Sequence, residues 1–256
     1  MKNRTIAGIV LAFPIVAGSL SPSLSQTTAS AAPKPAVQKP APAPRTAETA
    51  STPTVINGNR LAKFLDRAKD KNIQLVFLGD SITDFWPNKG KASWEKYFSK
   101  YNPADFGVSG EHTEHTLGHI AGGILDGLHP KVVVIMIGTN NIGHAKDEQP
   151  EWAAAGIKKI VETVHAKLPE TKVLLLGVFP RESKVSPHRQ SVAAINAIIS
   201  KYDDGNNTRY LDLTPKFLDA SGEIPKDIMP DGLHPNAAGY EIWGQSMQPL
   251  LDAMMK

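Results

Sequence analysis

Leu75-Val76-Phe77-Leu78-Gly79-Asp80-Ser81-Ile82-Thr83 is an apolar run that stops at Gly-Asp-Ser-Ile-Thr. Consecutive hydrophobic residues closed by a glycine predict a buried strand ending in a turn from which a helix can start. A serine at that turn has its hydroxyl exposed at the carboxyl end of a strand. Its amide stands at a helix N-terminus, where the partial positive charge favours a developing oxyanion. The same placement suits a plain N-cap, in which Ser81 does no more than satisfy helix amides. Residues far along the chain must decide between a nucleophile and a cap.

Working outward from this run, the chain alternates between two periods. Upstream, Leu61, Phe64, Leu65 and Ala68 recur at i, i+3, i+4 and i+7, which predicts a helix between Asn59 and Lys71. Downstream, Trp94, Tyr97 and Phe98 mark a helix over 93–100, and a short strand over 104–108 ends in Ser109-Gly110. A polar helix over 113–124 follows, then a β-branched strand over 131–137 that ends in Gly138-Thr139-Asn140-Asn141. Helices over 153–168, 192–202 and 236–254 are interleaved with strands over 172–178 and 208–213. Five strands alternating with helices predict an α/β fold, a parallel sheet between two helical layers in a three-layer α/β/α arrangement. In such sheets the working groups gather at the carboxyl ends of the strands.

The first 54 residues have a different character. Lys2 and Arg4 precede an apolar segment, Ile6 to Ala17, that is interrupted by Gly8 and Pro14. It is shorter than the ~20 apolar residues a spanning helix needs, and suits the core of a secretory signal peptide. Cleavage after Ala29-Ser30-Ala31 is expected, so 1–31 reads as a signal peptide and the protein as secreted or periplasmic, with no stable membrane span. Residues 32–54, rich in Pro, Ala and Thr and without apolar periodicity, read as a semi-extended linker, leaving 55–256 as the folded domain. Residues 1–54 hold five of the 28 Lys and Arg and one of the 25 Asp and Glu, so the remainder is near neutral. A nucleic-acid partner loses its main support. With no cysteine in the chain, disulfides, a thiol nucleophile and thiolate zinc sites are excluded.

Three strands thus end in a residue able to attack a carbonyl or stabilise an oxyanion: Ser81, Gly110 and Asn140. Near the C-terminus Asp231 and His234 stand three apart in Asp231-Gly232-Leu233-His234. That spacing lets a carboxylate hold the imidazole Nδ1 while Nε2 faces a serine. His234 would then deprotonate Ser81 and Asp231 would fix its tautomer. The amides of Ser81 and Gly110, with the Asn140 side chain, would donate to the oxyanion.

Gly79-Asp80-Ser81-Ile82-Thr83, Gly107-Val108-Ser109-Gly110, Gly138-Thr139-Asn140-Asn141 and Asp231-Gly232-Leu233-His234 resemble, in order, the four blocks of the GDSL or SGNH hydrolases. Phe106 to Gly110, the Gly138 block and Phe179-Pro180-Arg181 are similar to the catalytic subunits of platelet-activating-factor acetylhydrolases and their bacterial relatives. One departure is Glu111, where these relatives often have Asp. The resemblance implies a flavodoxin-like sheet, Ser81 as nucleophile, Gly110 and Asn140 in the oxyanion hole, Asp231 and His234 completing the triad, and no metal or other cofactor.

Other candidates are weighed against plainer roles. His112, His115 and His119 would share one face of a helix, but its outer two positions lie about 10 Å apart, too far for one ion with bonds of about 2 Å. Solvated or structural histidines are expected there. His144 could touch substrate or hold its loop, and Arg181 could touch substrate or pair with Glu182. Trp86 could wall an acyl pocket or serve as a sugar platform, against ordinary core packing, which is also expected of Trp94, Trp152 and Trp243. The expected activity is that of an exported serine esterase acting on small acyl esters of a carbohydrate or a lipid. The alternatives are an acyltransferase using the same acyl-enzyme and a noncatalytic glycan- or wall-binding module.

Overall fold

The computed structural model describes residues 44–55, 58–144 and 147–256. The elements run α1 (Ala47–Ser51), α2 (Gly58–Arg67), β1 (Leu75–Gly79), α3 (Ser81–Asp84), α4 (Lys91–Tyr97), β2 (Pro103–Gly107), α5 (Thr113–Ala121), β3 (Val132–Met136) and α6 (Thr139–His144). Then follow α7 (Pro150–Lys167), β4 (Lys172–Leu176), α8 (Pro187–Ile199), β5 (Thr208–Leu211), α9 (Thr214–Phe217) and α10 (Ala237–Met254). All five strands are parallel, in the order β2-β1-β3-β4-β5. This doubly wound order is that of flavodoxin-like sheets. The predicted fold class is therefore observed.

The sequence pattern explains the two layers. Side chains alternate across a strand, so Val76, Leu78, Val133, Ile135, Val173 and Leu175 enter one core, with Phe64 of α2, Leu117 of α5, Ile160 of α7 and Ile195 of α8. Phe77, Val134, Met136 and Leu174 enter the other, with Phe98, Phe217 of α9 and Trp243 of α10. Burial on both faces is what an unbroken apolar strand requires. The order also sets β2, β1 and β3 side by side, so the residues that follow them emerge together at one sheet edge.

Two differences from the sequence reading have identifiable physical causes. α8 begins at Pro187, ahead of its first apolar residue, because the Ser186 hydroxyl accepts the Arg189 amide at 3.1 Å and proline is compatible with a first helical turn. More important, the linker boundary at residue 54 is wrong. Residues 44–54 belong to the same compact unit as the sheet, and α1 lies against α5 and α7. Ala50 is buried, its carbonyl accepts the Thr113 hydroxyl at 2.7 Å, and the Thr54 amide donates to the Glu114 carbonyl at 2.8 Å. Arg45 donates from Nε to Glu148 at 2.7 Å and forms an ion pair with Glu114. Composition concealed this because α1 is held by partners distant in sequence. The signal-peptide segment, 1–31, and the rest of the linker, 32–43, lie outside the described residues.

Candidate active site

Strand β1 delivers Ser81 in a fixed way. Gly79 has no side chain because a Cβ there would strike the Thr83 side chain and the Met136 carbonyl. Asp80, not Ser81, is the N-cap of α3, its Oδ1 accepting the Ile82 amide at 3.0 Å. Ser81 is therefore the first helical residue, and its amide is one of the first-turn donors the helix cannot satisfy itself. Its Oγ lies 3.0 Å from His234 Nε2. The cap and the candidate nucleophile are neighbours rather than alternatives.

Asp231 and His234 meet as their spacing predicts. His234 Nδ1 lies 2.7 Å from Asp231 Oδ2, while the other carboxylate oxygen accepts the amides of Leu233 at 3.0 Å and His234 at 2.7 Å. One carboxylate thus folds the turn and fixes the imidazole. With Nδ1–H donated to Asp231, Nε2 is left as the acceptor facing Ser81. Partial burial raises the Asp231 pKa, but the His234 amide and imidazole and the Leu233 amide outweigh it and hold the carboxyl below its ordinary value. The Phe85 ring lies 5.3 Å from the His234 ring, and Lys89 Nζ is 4.4 Å from the Phe85 ring. Beside them is an open pocket of about 420 Å3 lined by Lys89, Pro230, Asp231, His234 and Pro235.

Gly110 and Asn140 follow the strands on either side of β1. Gly110 has φ +81°, the left-handed conformation that favours glycine, and turns the chain from β2 into Glu111. Asn140 stands in the first turn of α6, and its Nδ2 donates to the Glu111 carbonyl at 2.9 Å. One amide hydrogen is used in that bond and the second remains for a ligand. The structure thus brings Ser81, Gly110, Asn140, Asp231 and His234 to one edge of the sheet.

The remaining candidates fare differently. Trp86 is wholly buried, packed among Trp94, Phe98, Tyr240 and Trp243, so the substrate-contact reading of this residue is withdrawn. Trp243 is likewise core, while Trp94 and Trp152 are half-buried. Arg181 donates from Nη1 to the Thr139 carbonyl at 2.6 Å and to its hydroxyl at 3.3 Å, bracing the start of α6. Glu182, its expected partner, instead lies 2.7 Å from His188. His144 is exposed at the end of α6, its Nδ1 3.4 Å from His112 Nε2. Burial, then His112 and Arg181, hold its pKa below the ordinary value.

The three histidines of the Gly110 loop and α5 do not form one site. His119 is turned inward, its Nε2 2.8 Å from Glu111 Oε1. Among the described residues, His112, Glu114 and His115 do place ligand atoms within 4.8 Å of one another. Their carboxylate, however, is already occupied by the Arg45 guanidinium, whose charge opposes a cation there. His119 is one of the structural histidines expected, but its partner Glu111 was not anticipated as a support, nor were Arg45 and Tyr240, whose hydroxyl donates to the Ile82 carbonyl at 2.5 Å and ties α10 to α3. Only the polar residues inside α5 hinted at them, since buried polar groups demand partners.

Comparison with known proteins agrees with the geometry. Residues 77–242 match the GDSL-like Lipase/Acylhydrolase family. The chain is 32% identical over 190 residues to the platelet-activating factor acetylhydrolase IB subunit alpha1 of Homo sapiens, covering 74% of this chain and 80% of that one. It is 31% identical over 195 residues to the alpha2 subunit of Rattus norvegicus, covering 76% and 81%. Among solved structures, a GDSL-like lipase from Bacteroides thetaiotaomicron has a TM-score of 0.64 at 20% identity, covering 75% of this chain and 97% of that one. An acetylxylan esterase from Geobacillus stearothermophilus has a TM-score of 0.55 at 17% identity, covering 70% and 93%. These two share the fold. The chain belongs to the GDSL-like lipase/acylhydrolase family and is a hydrolase of the esterase type.

Proposed function

We propose that this chain is an exported serine esterase that removes short acyl groups, acetyl above all, from an acetylated carbohydrate or a short-chain acyl lipid. The observation that carries the reading is the Ser81–His234–Asp231 relay at 3.0 and 2.7 Å. His234 Nε2 takes the Ser81 proton as Oγ attacks the ester carbonyl carbon, and Asp231 stabilises the resulting imidazolium. The carbonyl oxygen becomes an oxyanion facing the Ser81 and Gly110 amides and the second Asn140 hydrogen. Collapse breaks the ester bond, the leaving alkoxide takes the proton from His234, and acyl-Ser81 remains. Water, deprotonated by His234, then releases the carboxylic acid and restores the serine.

Two relatives named acetylhydrolases and a structural neighbour named an acetylxylan esterase support the small acyl group. The signal-peptide pattern supports export. The test is turnover of p-nitrophenyl acetate against longer esters by the wild type and Ser81→Ala, followed by acetate release from acetylated xylan, acetylated peptidoglycan and an acetylated phospholipid. Acetate preference and loss of turnover in the variant are expected. Undiminished turnover in the variant contradicts the mechanism, and equal rates on long and short chains contradict the small-acyl preference alone.

A further inference from the structure

We propose that the buried Glu111–His119 pair is a positioning device for the oxyanion hole, acting through the Glu111 backbone on Asn140 and Gly110. Glu111 directly follows Gly110 and is tied at three points. Its amide donates to the Val108 carbonyl at 3.2 Å, its carbonyl accepts Asn140 Nδ2 at 2.9 Å, and its carboxylate meets His119 Nε2 at 2.8 Å. Both side chains are 2% exposed. His119 belongs to α5, and its ring packs edge-on against Phe64 of the core at 5.4 Å. The loop carrying one oxyanion donor and the carbonyl orienting another are therefore anchored through one side chain to a rigid helix.

Stability is a poor reason for this arrangement. A buried acid–base pair recovers little more than its desolvation cost, and an apolar pair of similar volume is often as stable or more so. What the pair supplies is direction. It fixes Glu111 Cα against α5, which fixes the carbonyl that receives Asn140 and leaves the second amide hydrogen of Asn140 aimed at a ligand. Donor geometry of this kind must be set before reaction to lower a barrier. Glu111 and His119 are thus positioning residues and touch no reacting atom.

The inference rests on the esterase reading, and Ser81→Ala separates the two. The experiment measures kcat and KM for p-nitrophenyl acetate in Glu111→Ala, Glu111→Gln and the doubly apolar Glu111→Leu/His119→Leu, with a melting curve for each. Glu111→Ala and Glu111→Gln are also made on an Asn140→Ala background. Glu111→Ala is expected to lower kcat ten- to a hundredfold with KM within threefold, since loss of a whole donor costs about 10²–10³. Glu111→Gln, whose amide oxygen still accepts from His119, recovers most of that loss. On the Asn140→Ala background Glu111→Ala costs several-fold less, which a general loosening of the fold would not produce. If Glu111→Ala gives no cooperative melt, the doubly apolar variant carries the same expectation. A kcat within threefold of wild type in either disrupted variant, or an undiminished loss on the Asn140→Ala background, overturns the inference. Retained turnover in Ser81→Ala would instead overturn the esterase reading beneath it.

Discussion

At the scale of single residues, Asp231 and Asp80 hold carboxylates to opposite ends. The Asp231 side chain is 55% exposed and does its work through hydrogen bonds to the His234 ring and amide. Asp231→Asn would turn the imidazole to the wrong tautomer, and with solvent able to substitute in part, kcat is expected to fall on the order of 10²–10³. Steady-state kinetics with KM unchanged checks this. Asp80 is fully buried, and burial pushes its carboxyl up to about 7 against the pull of the Ile82 amide and Arg181. A carboxyl raised in the folded state favours folding while protonated, so its contribution is present at low pH and is lost as pH rises from about 4 through 7. Asp80→Asn keeps an acceptor for the Ile82 amide and removes the buried charge. It should match the wild type in unfolding free energy near pH 4 and exceed it above pH 7, by up to about 4 kcal/mol. A gap that does not widen with pH would refute this. Ser81, Asp231 and His234 were legible because their cues are local: a strand end for one, a three-residue spacing for the others. The pairing of Glu111 with His119 was not, since it depends on how a loop meets a helix.

At the scale of elements, the errors came from segments whose partners are distant. Trp86, five residues beyond Ser81, was open to either a substrate role or core packing; α10 decides for the core, covering it with Tyr240 and Trp243. Trp86→Leu should therefore destabilise the protein by about 3 kcal/mol while leaving KM for p-nitrophenyl acetate within twofold where the variant is folded. A several-fold rise in KM would restore a substrate role. The N-terminal segment is the larger case. α1 is a single short turn that would not persist alone. Yet Arg45 neutralises Glu148, whose side chain has no exposure, and Glu114, whose carboxyl His112 and Arg45 draw down to about 2 against the opposing effect of burial. Arg45→Ala strands both acids and should cost about 2–3 kcal/mol, less than a fully buried pair because Arg45 is partly exposed. Urea unfolding measures it; a change under 1 kcal/mol would mean that the segment is dispensable. A chain beginning at residue 55 should likewise melt below one beginning at residue 44.

At the scale of the molecule, the five strands, their order and their two-sided burial were legible because each strand is an unbroken apolar run between helical patterns. Short helices such as α6 and α9 were not, since four to six residues carry too little periodicity to register. The sheet order converts three strand ends, separate in sequence, into one site and brings the Asp231–His234 turn against it. If that convergence is catalytic, acyl groups pass through Ser81. The direct measurement is acid quenching of the protein during turnover of p-nitrophenyl acetate, followed by mass spectrometry of its peptides. The account predicts an acetyl group on the peptide carrying Ser81, located at that serine and absent from Ser81→Ala, which no longer turns over. Acetate release continuing at the wild-type rate in Ser81→Ala, or an acetyl adduct confined to another residue, would contradict it.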